Sequence, residues 1–174
     1  MKEINHEKKF VLFALILFTV GAFAQTEQGK IRIGGSFEFG FYNAYYDWIS
    51  LNTFFIDAHG GYFIVDNLSL EVGLLSGYSY YWKQHFIQAG GGLGIRYYFP
   101  IRLFIGSKSN FIYMYDSVFD NYTYYDVNFM VGYAWFLSEN VAFEPIINYR
   151  LEFVDDMNRR DRNLNARIGI SIHF

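Results

Sequence analysis

Hydrophobic and polar positions alternate with a period of two through nearly all of residues 30–174. In the last segment Ala166, Ile168, Ile170, Ile172 and Phe174 form one row, and Asn165, Arg167, Gly169, Ser171 and His173 form the other. Period two places successive side chains on opposite faces of a β-strand. The same pattern predicts seven earlier strands: Lys30–Tyr42, Leu51–Ile64, Leu68–Tyr81, Ile87–Phe99, Ile101–Tyr113, Thr123–Phe136 and Val141–Phe153. The register of the fifth is the least defined. In the third, Leu68, Leu70, Val72 and Leu74 oppose Ser69, Glu71, Gly73 and Gly77. In the sixth, Val127, Phe129, Val131 and Trp135 oppose Asp126, Asn128, Gly132 and Ala134. Pro145 falls on the apolar row of the seventh strand and has no N–H to donate, which predicts a local bulge.

The predicted connections alternate in length. Val65-Asp66-Asn67, Phe99-Pro100-Ile101 and Leu137-Ser138-Glu139-Asn140 are tight and carry turn residues. Residues 43–50, 82–86, 114–122 and 154–162 form mostly longer links. An even number of antiparallel strands puts both chain ends on the side of the tight turns. Apolar rows have aliphatic centres with rings near their ends: Tyr62, Tyr78, Tyr80, Trp82, Tyr97, Tyr113, Tyr125, Tyr133, Trp135 and Tyr149. Such rings suit the two interfaces of a bilayer, and strands of this length suit its thickness. A soluble barrel would alternate as well, but its outer row would be dense in Lys and Glu. Here the opposite row is Gly, Ser, Ala and Asn with scattered charges. The expectation is an all-β, eight-stranded antiparallel up-and-down transmembrane β-barrel, with the first strand pairing the last so that no edge is left in hydrocarbon.

Composition sharpens this picture. The chain is 22% aromatic and 18% charged, with 16 Tyr and 20 Phe and a formal net charge of −3. Nothing in that balance suits a nucleic-acid partner. With no cysteine, a disulfide framework, thiolate metal sites and a lipid-anchored N-terminal cysteine are excluded. Lys2, Lys8 and Lys9 precede an apolar run from Phe10 to Val20, which is too short to span a bilayer. Ala22-Phe23-Ala24 then offers a small-x-small site with cleavage before Gln25. The expected organisation is a signal peptide over residues 1–24 and a barrel domain over 25–174.

If the apolar row meets lipid, the inward row carries Lys30, Arg32, Glu38, Asp57, Glu71, Arg96, Lys108, Asp126, Glu144, Arg150, Glu152 and Arg167, with Arg102 expected to join it. An eight-stranded lumen is only wide enough for side chains to fill. Charges held there must pair or stay wet. A mutually neutralising plug is therefore expected.

Three segments resemble the small eight-stranded bacterial outer-membrane β-barrel family, the OmpX/OmpA-type and OmpW-like group. They are Gly61-Tyr62-Phe63-Ile64-Val65-Asp66-Asn67-Leu68, Gly94-Ile95-Arg96-Tyr97-Tyr98-Phe99, and the stretch from Val131 to Pro145 with its strand, tight turn and Glu-Pro return. The terminal Ile170, Ile172 and Phe174 resemble the segment that the barrel-assembly machinery reads in that family. The resemblance implies an outer-membrane location, periplasmic chaperones in transit, contact with outer-membrane lipid and lipopolysaccharide, a monomer and no cofactor. It implies a non-enzymatic role in envelope integrity or surface interaction through the outer loops. The alternative is an OmpW-like narrow channel for small hydrophobic molecules, for which Phe55, Phe63, Leu75, Phe104 and Met130 are candidate inward residues.

Other candidate chemistry is sparse. Asp57 and His59 share a strand face, an arrangement that suits proton transfer, but membership of the interior charge network is the simpler reading. The His-x-Ser motif of lipid A deacylase barrels is missing, and so is room for the N-terminal helix of palmitoyltransferase barrels. Gly90-Gly91-Gly92-x-Gly94 lies within a strand, so it reads as relief of crowding or curvature and not as a phosphate cradle. Arg159, Arg160 and Arg162 are expected in the last outer loop, where they could contact lipopolysaccharide phosphates. Tyr113, Tyr115, Phe119, Tyr122, Tyr124 and Tyr125 make the third outer loop aromatic, as a binding surface or as strand extensions.

Overall fold

A computed structural model describes residues 25–43, 50–81, 84–117, 121–154 and 159–174. Ala22, Ala24, Trp82 and Phe119 lie outside them. The strands are β1 (Ile31–Asn43), β2 (Ser50–Val65), β3 (Leu68–Tyr81), β4 (Gln84–Tyr98), β5 (Leu103–Asp116), β6 (Tyr122–Tyr133), β7 (Trp135–Phe136), β8 (Val141–Val154) and β9 (Arg159–His173). Each pairs antiparallel with its neighbour, and β1 closes on β9 with Arg32 opposite His173 and Phe37 opposite Ile168. The segments β6 and β7 both pair β8, so they form one stave, and the closed wall has eight staves. Ile31 and Phe174 exchange backbone hydrogen bonds of 3.2 and 2.9 Å, which carries the seam to the last residue.

Alternation sorts the side chains as a membrane barrel requires. Among the described residues, 32 large hydrophobic side chains are exposed, while 22 polar or charged ones are buried against only 10 apolar ones. That inverts the usual division between core and surface, so the outer face is built for a solvent other than water. Aliphatic residues such as Leu74, Leu93 and Ile168 occupy the middle of the outer wall. Tyr62, Tyr97 and Trp135 ring the tight-turn end; Tyr78, Tyr80, Tyr113, Tyr115 and Tyr125 ring the other.

Several expectations need correction. Pro145 makes no bulge: β8 keeps unbroken register with β9 through Pro145 opposite Ile168. The interruption lies on the other side, where the stave is split at Ala134 into β6 and β7 with unchanged register. Proline supplies no N–H there, so the ladder lapses without shifting. The register shift that does occur lies in the β2–β3 hairpin, between Phe63 and Val65, where Asn67 takes a left-handed φ of 67°. Arg102 is not on the inward row of a strand. It sits in the β4–β5 turn at φ 66°, with its guanidinium 6.0 Å from the Phe136 ring centre. The segment from Arg159 to Arg162 belongs to β9, pairing with Val154 to Leu151, and not to a loop. Tyr122 and Tyr124 likewise lie in β6, and β4 already begins at Gln84.

Candidate functional site

Inward side chains stack in four levels between the tight-turn end and the loop end. Rings make the lowest. Phe63, Tyr98 and Phe104 are buried, with centroid separations of 5.8 Å for Phe63–Tyr98 and 5.4 Å for Tyr98–Phe104. Ala134 and Ala142 pack against them. Beneath lies the segment entering β1. Gln25 offers its carbonyl to His173 Nδ1 at 3.1 Å. Thr26 donates its hydroxyl to Asn67 Oδ1, and Asn67 N–H donates back to the Thr26 carbonyl, both at 2.6 Å. This segment shows no period-two pattern, so its closure of the end is not legible from residue order.

Above the rings sits a four-membered charge cluster. Arg32 and Arg96 both reach Glu71 Oε1, at 2.7 and 3.0 Å, and both reach Glu144 Oε2, at 3.4 and 2.9 Å. The other Glu144 oxygen accepts from the Ser171 hydroxyl at 2.7 Å. Arg96 also lies 4.4 Å above the Phe104 ring, which ties this level to the one below. Two guanidiniums between two carboxylates balance locally, which is the condition for burying them.

The third level is a chain of charges and hydrogen bonds. Lys108 Nζ donates to Asp57 Oδ2 at 2.6 Å, His59 Nδ1 lies 2.8 Å from Asp57 Oδ1, and Arg32 Nη1 lies 2.9 Å from His59 Nε2. A guanidinium can only donate, so Nε2 accepts and the ring proton sits on Nδ1, facing Asp57. Asp57 and His59 thus belong to the interior network. Gly73 makes room for Lys108, whose ammonium would collide with any Cβ there.

Arg150 dominates the fourth level, with Glu38, Asp126 and Glu152 at 3.6, 3.6 and 3.7 Å. Arg167 donates to Glu38 at 2.6 Å. Asn110 and Asn128 both donate to Asp126 Oδ1 at 2.6 Å. Eleven of the twelve residues expected on the inward row are therefore inside, Lys108 among them, while the twelfth, Lys30, lies just before β1. Five cations face six carboxylates: Arg32, Arg96, Lys108, Arg150 and Arg167 against Glu38, Asp57, Glu71, Asp126, Glu144 and Glu152. The space left among them is about 30 Å³, room for one or two waters. A shallower cup of about 230 Å³ opens above Phe55 and Arg150 towards the loop end.

Ser171, His173 and Glu144 form a grouping that the sequence reading missed, although Ser171-x-His173 is a period-two pair on one face. Ser171 Oγ lies 3.2 Å from His173 Nε2 and 2.7 Å from Glu144 Oε1. Its single proton is directed to the carboxylate, and all three side chains are buried. This arrangement fastens the end of β9 to β8 and presents no accessible nucleophile.

Neisserial surface protein A (NspA) superposes with a TM-score of 0.54 at 16% identity, covering 83% of this chain and 96% of that one. The fold is that of a small outer-membrane β-barrel. The N-terminal barrel domain of Pseudomonas aeruginosa OprF matches at TM-score 0.49 and 14% identity, over 84% of this chain and 98% of that one. No family model and no curated protein matches the chain. Within this fold the ringed aliphatic exterior is the lipid-facing wall, and the four inner levels fill the lumen.

Proposed function

We propose that this chain is a non-conducting, non-enzymatic outer-membrane barrel that serves as a rigid anchor, contributing to envelope integrity or presenting its outer connections to surface partners. The observation that carries this reading is the filled lumen: charges pair across it at the three upper levels, and a ring cluster with the segment from Gln25 closes one end. In this reading residues 1–24 are removed on export, periplasmic chaperones and the assembly machinery deliver the chain, and lipopolysaccharide surrounds its outer rim. A narrow passage for small hydrophobic molecules is the weaker alternative. Phe63 and Phe104 do face inward, but both are fully buried and block the lumen instead of lining a path. Refolded barrel in a planar bilayer tests the choice. Silence across a voltage ramp is expected, and steady conductance steps would overturn the anchor reading. Cells lacking the chain should show altered sensitivity to detergent or altered adhesion, and unchanged behaviour in both would remove the proposed role.

A further inference from the structure

The lipid-facing wall is not uniformly convex. A groove of about 470 Å³ runs across β4, β5, β6 and β8, lined almost wholly by apolar side chains. Its floor is at Gly106 and Ser107. On the outer row Ser107 stands opposite Ile95 on one side and Phe129 on the other, and Phe129 stands opposite Tyr149. One small side chain among large ones leaves a notch. Val131 and Ile105 wall it on the side nearer the turns.

Depth identifies the occupant. Ile105 is the third residue of β5, Tyr97 the penultimate residue of β4 and Leu68 the first of β3. The groove therefore starts at the tight-turn end of the wall, where the segment from Gln25 and the terminal Phe174 both sit, and reaches the mid-strand residues Phe129 and Tyr149. Under the reading proposed above, on which this inference rests, that end faces the periplasm. Phospholipid forms the periplasmic leaflet of an outer membrane, while lipopolysaccharide is confined to the outer one.

We propose that the groove holds one acyl chain of a periplasmic-leaflet phospholipid in preference to the lipids that merely surround the barrel. A chain lying in it touches side chains on three sides, where one against a convex wall touches one. Dispersion contacts, each small, add up with the number of touching atoms. An unfilled groove in hydrocarbon would forfeit them.

Native mass spectrometry of the full-length protein, released from detergent with added phosphatidylethanolamine or lipid A, tests this. The expected result is retention of a single phosphatidylethanolamine at activation energies that strip the rest. Ser107→Leu, which fills the notch, should abolish that adduct. Ala166→Leu, an enlargement on the lipid-facing row of β9, should leave it unchanged. Equal retention in all three proteins, preference for lipid A, or a dimer that Ser107→Leu dissolves would each overturn the inference, the last by showing a second copy in the groove. Protein that stays in solution without detergent would instead refute the membrane reading itself. Loss of the adduct in both variants would indicate general disruption, and it too would overturn the assignment.

Discussion

Glu144 is the most connected carboxylate of the lumen, and replacing it tests whether the charge cluster is held by mutual neutralisation. Glu144→Gln keeps size and shape but removes one negative charge from a cluster of two arginines and two glutamates. Arg96, at 2.9 Å from Glu144, and Arg32, at 3.4 Å, would then share only Glu71. Breaking a buried ion pair by removing one partner costs about 3–5 kcal/mol. Both arginines keep Glu71 within 3.0 Å, so the lower end applies, about 3 kcal/mol. The Ser171 hydroxyl keeps an acceptor in the amide oxygen, so that contact should survive. Equilibrium urea unfolding in detergent micelles, followed by tryptophan fluorescence and by heat-dependent gel mobility, gives the difference. The double variant Glu144→Gln/Arg96→Met restores local neutrality and should recover part of the loss, with a coupling of about 1–3 kcal/mol. Strict additivity of the two single changes, or a loss below about 1 kcal/mol for Glu144→Gln alone, would refute the argument that this cluster behaves as one neutral unit.

Three further outcomes follow from the wall and the seam. Gly92→Ala should destabilise the barrel by about 1–3 kcal/mol in the same unfolding assay, because a Cβ there would collide with the backbone carbonyl of Ser109; an unchanged midpoint would show that β4 and β5 can move apart. Phe174→Ser should sharply lower the amount of assembled barrel in cells but leave refolding in vitro nearly unchanged, since its side chain is 56% exposed while its backbone carries the bonds to Ile31; equal loss in both settings would assign the residue to stability instead of delivery. Pro145→Ala should raise amide-exchange protection near Tyr133 without lowering stability, because it restores a donor opposite the interruption between β6 and β7; a drop in stability would mean that the break itself is required.

Face assignment was legible in the sequence because a one-residue slip would turn every side chain of a strand to the wrong side. Arg32, Glu71, Arg96 and Arg150 are inward on the parity of their strands alone. Even β5, whose register was ambiguous, obeys that rule, with Phe104, Lys108, Asn110 and Ile112 all buried. Strand ends at the loop side were less legible. The hydrophobic pattern marks where a strand crosses lipid, but a strand continues for as long as its backbone finds a partner. Hence β9 begins at Arg159, well before the first aliphatic residue of its outer row, Leu164.

Partners across the lumen were not legible at all. Arg32 and Glu144 are 112 residues apart, and Arg167 and Glu38 are 129 apart. Parity establishes that such residues are inside, while their level along the axis depends on the stagger accumulated round eight staves, which no single strand encodes. The pairing pattern nevertheless has a physical logic that the sequence hints at. Large polar side chains such as Lys108 and His59 sit where Gly73 and Gly34 leave space, so the glycines that would weaken an ordinary strand are what let a narrow tube hold a polar, ion-paired interior. Removing that space would force ions outward into hydrocarbon, where they have no partner. The apolar outside and the ion-paired inside are therefore one constraint seen from two faces of the same wall.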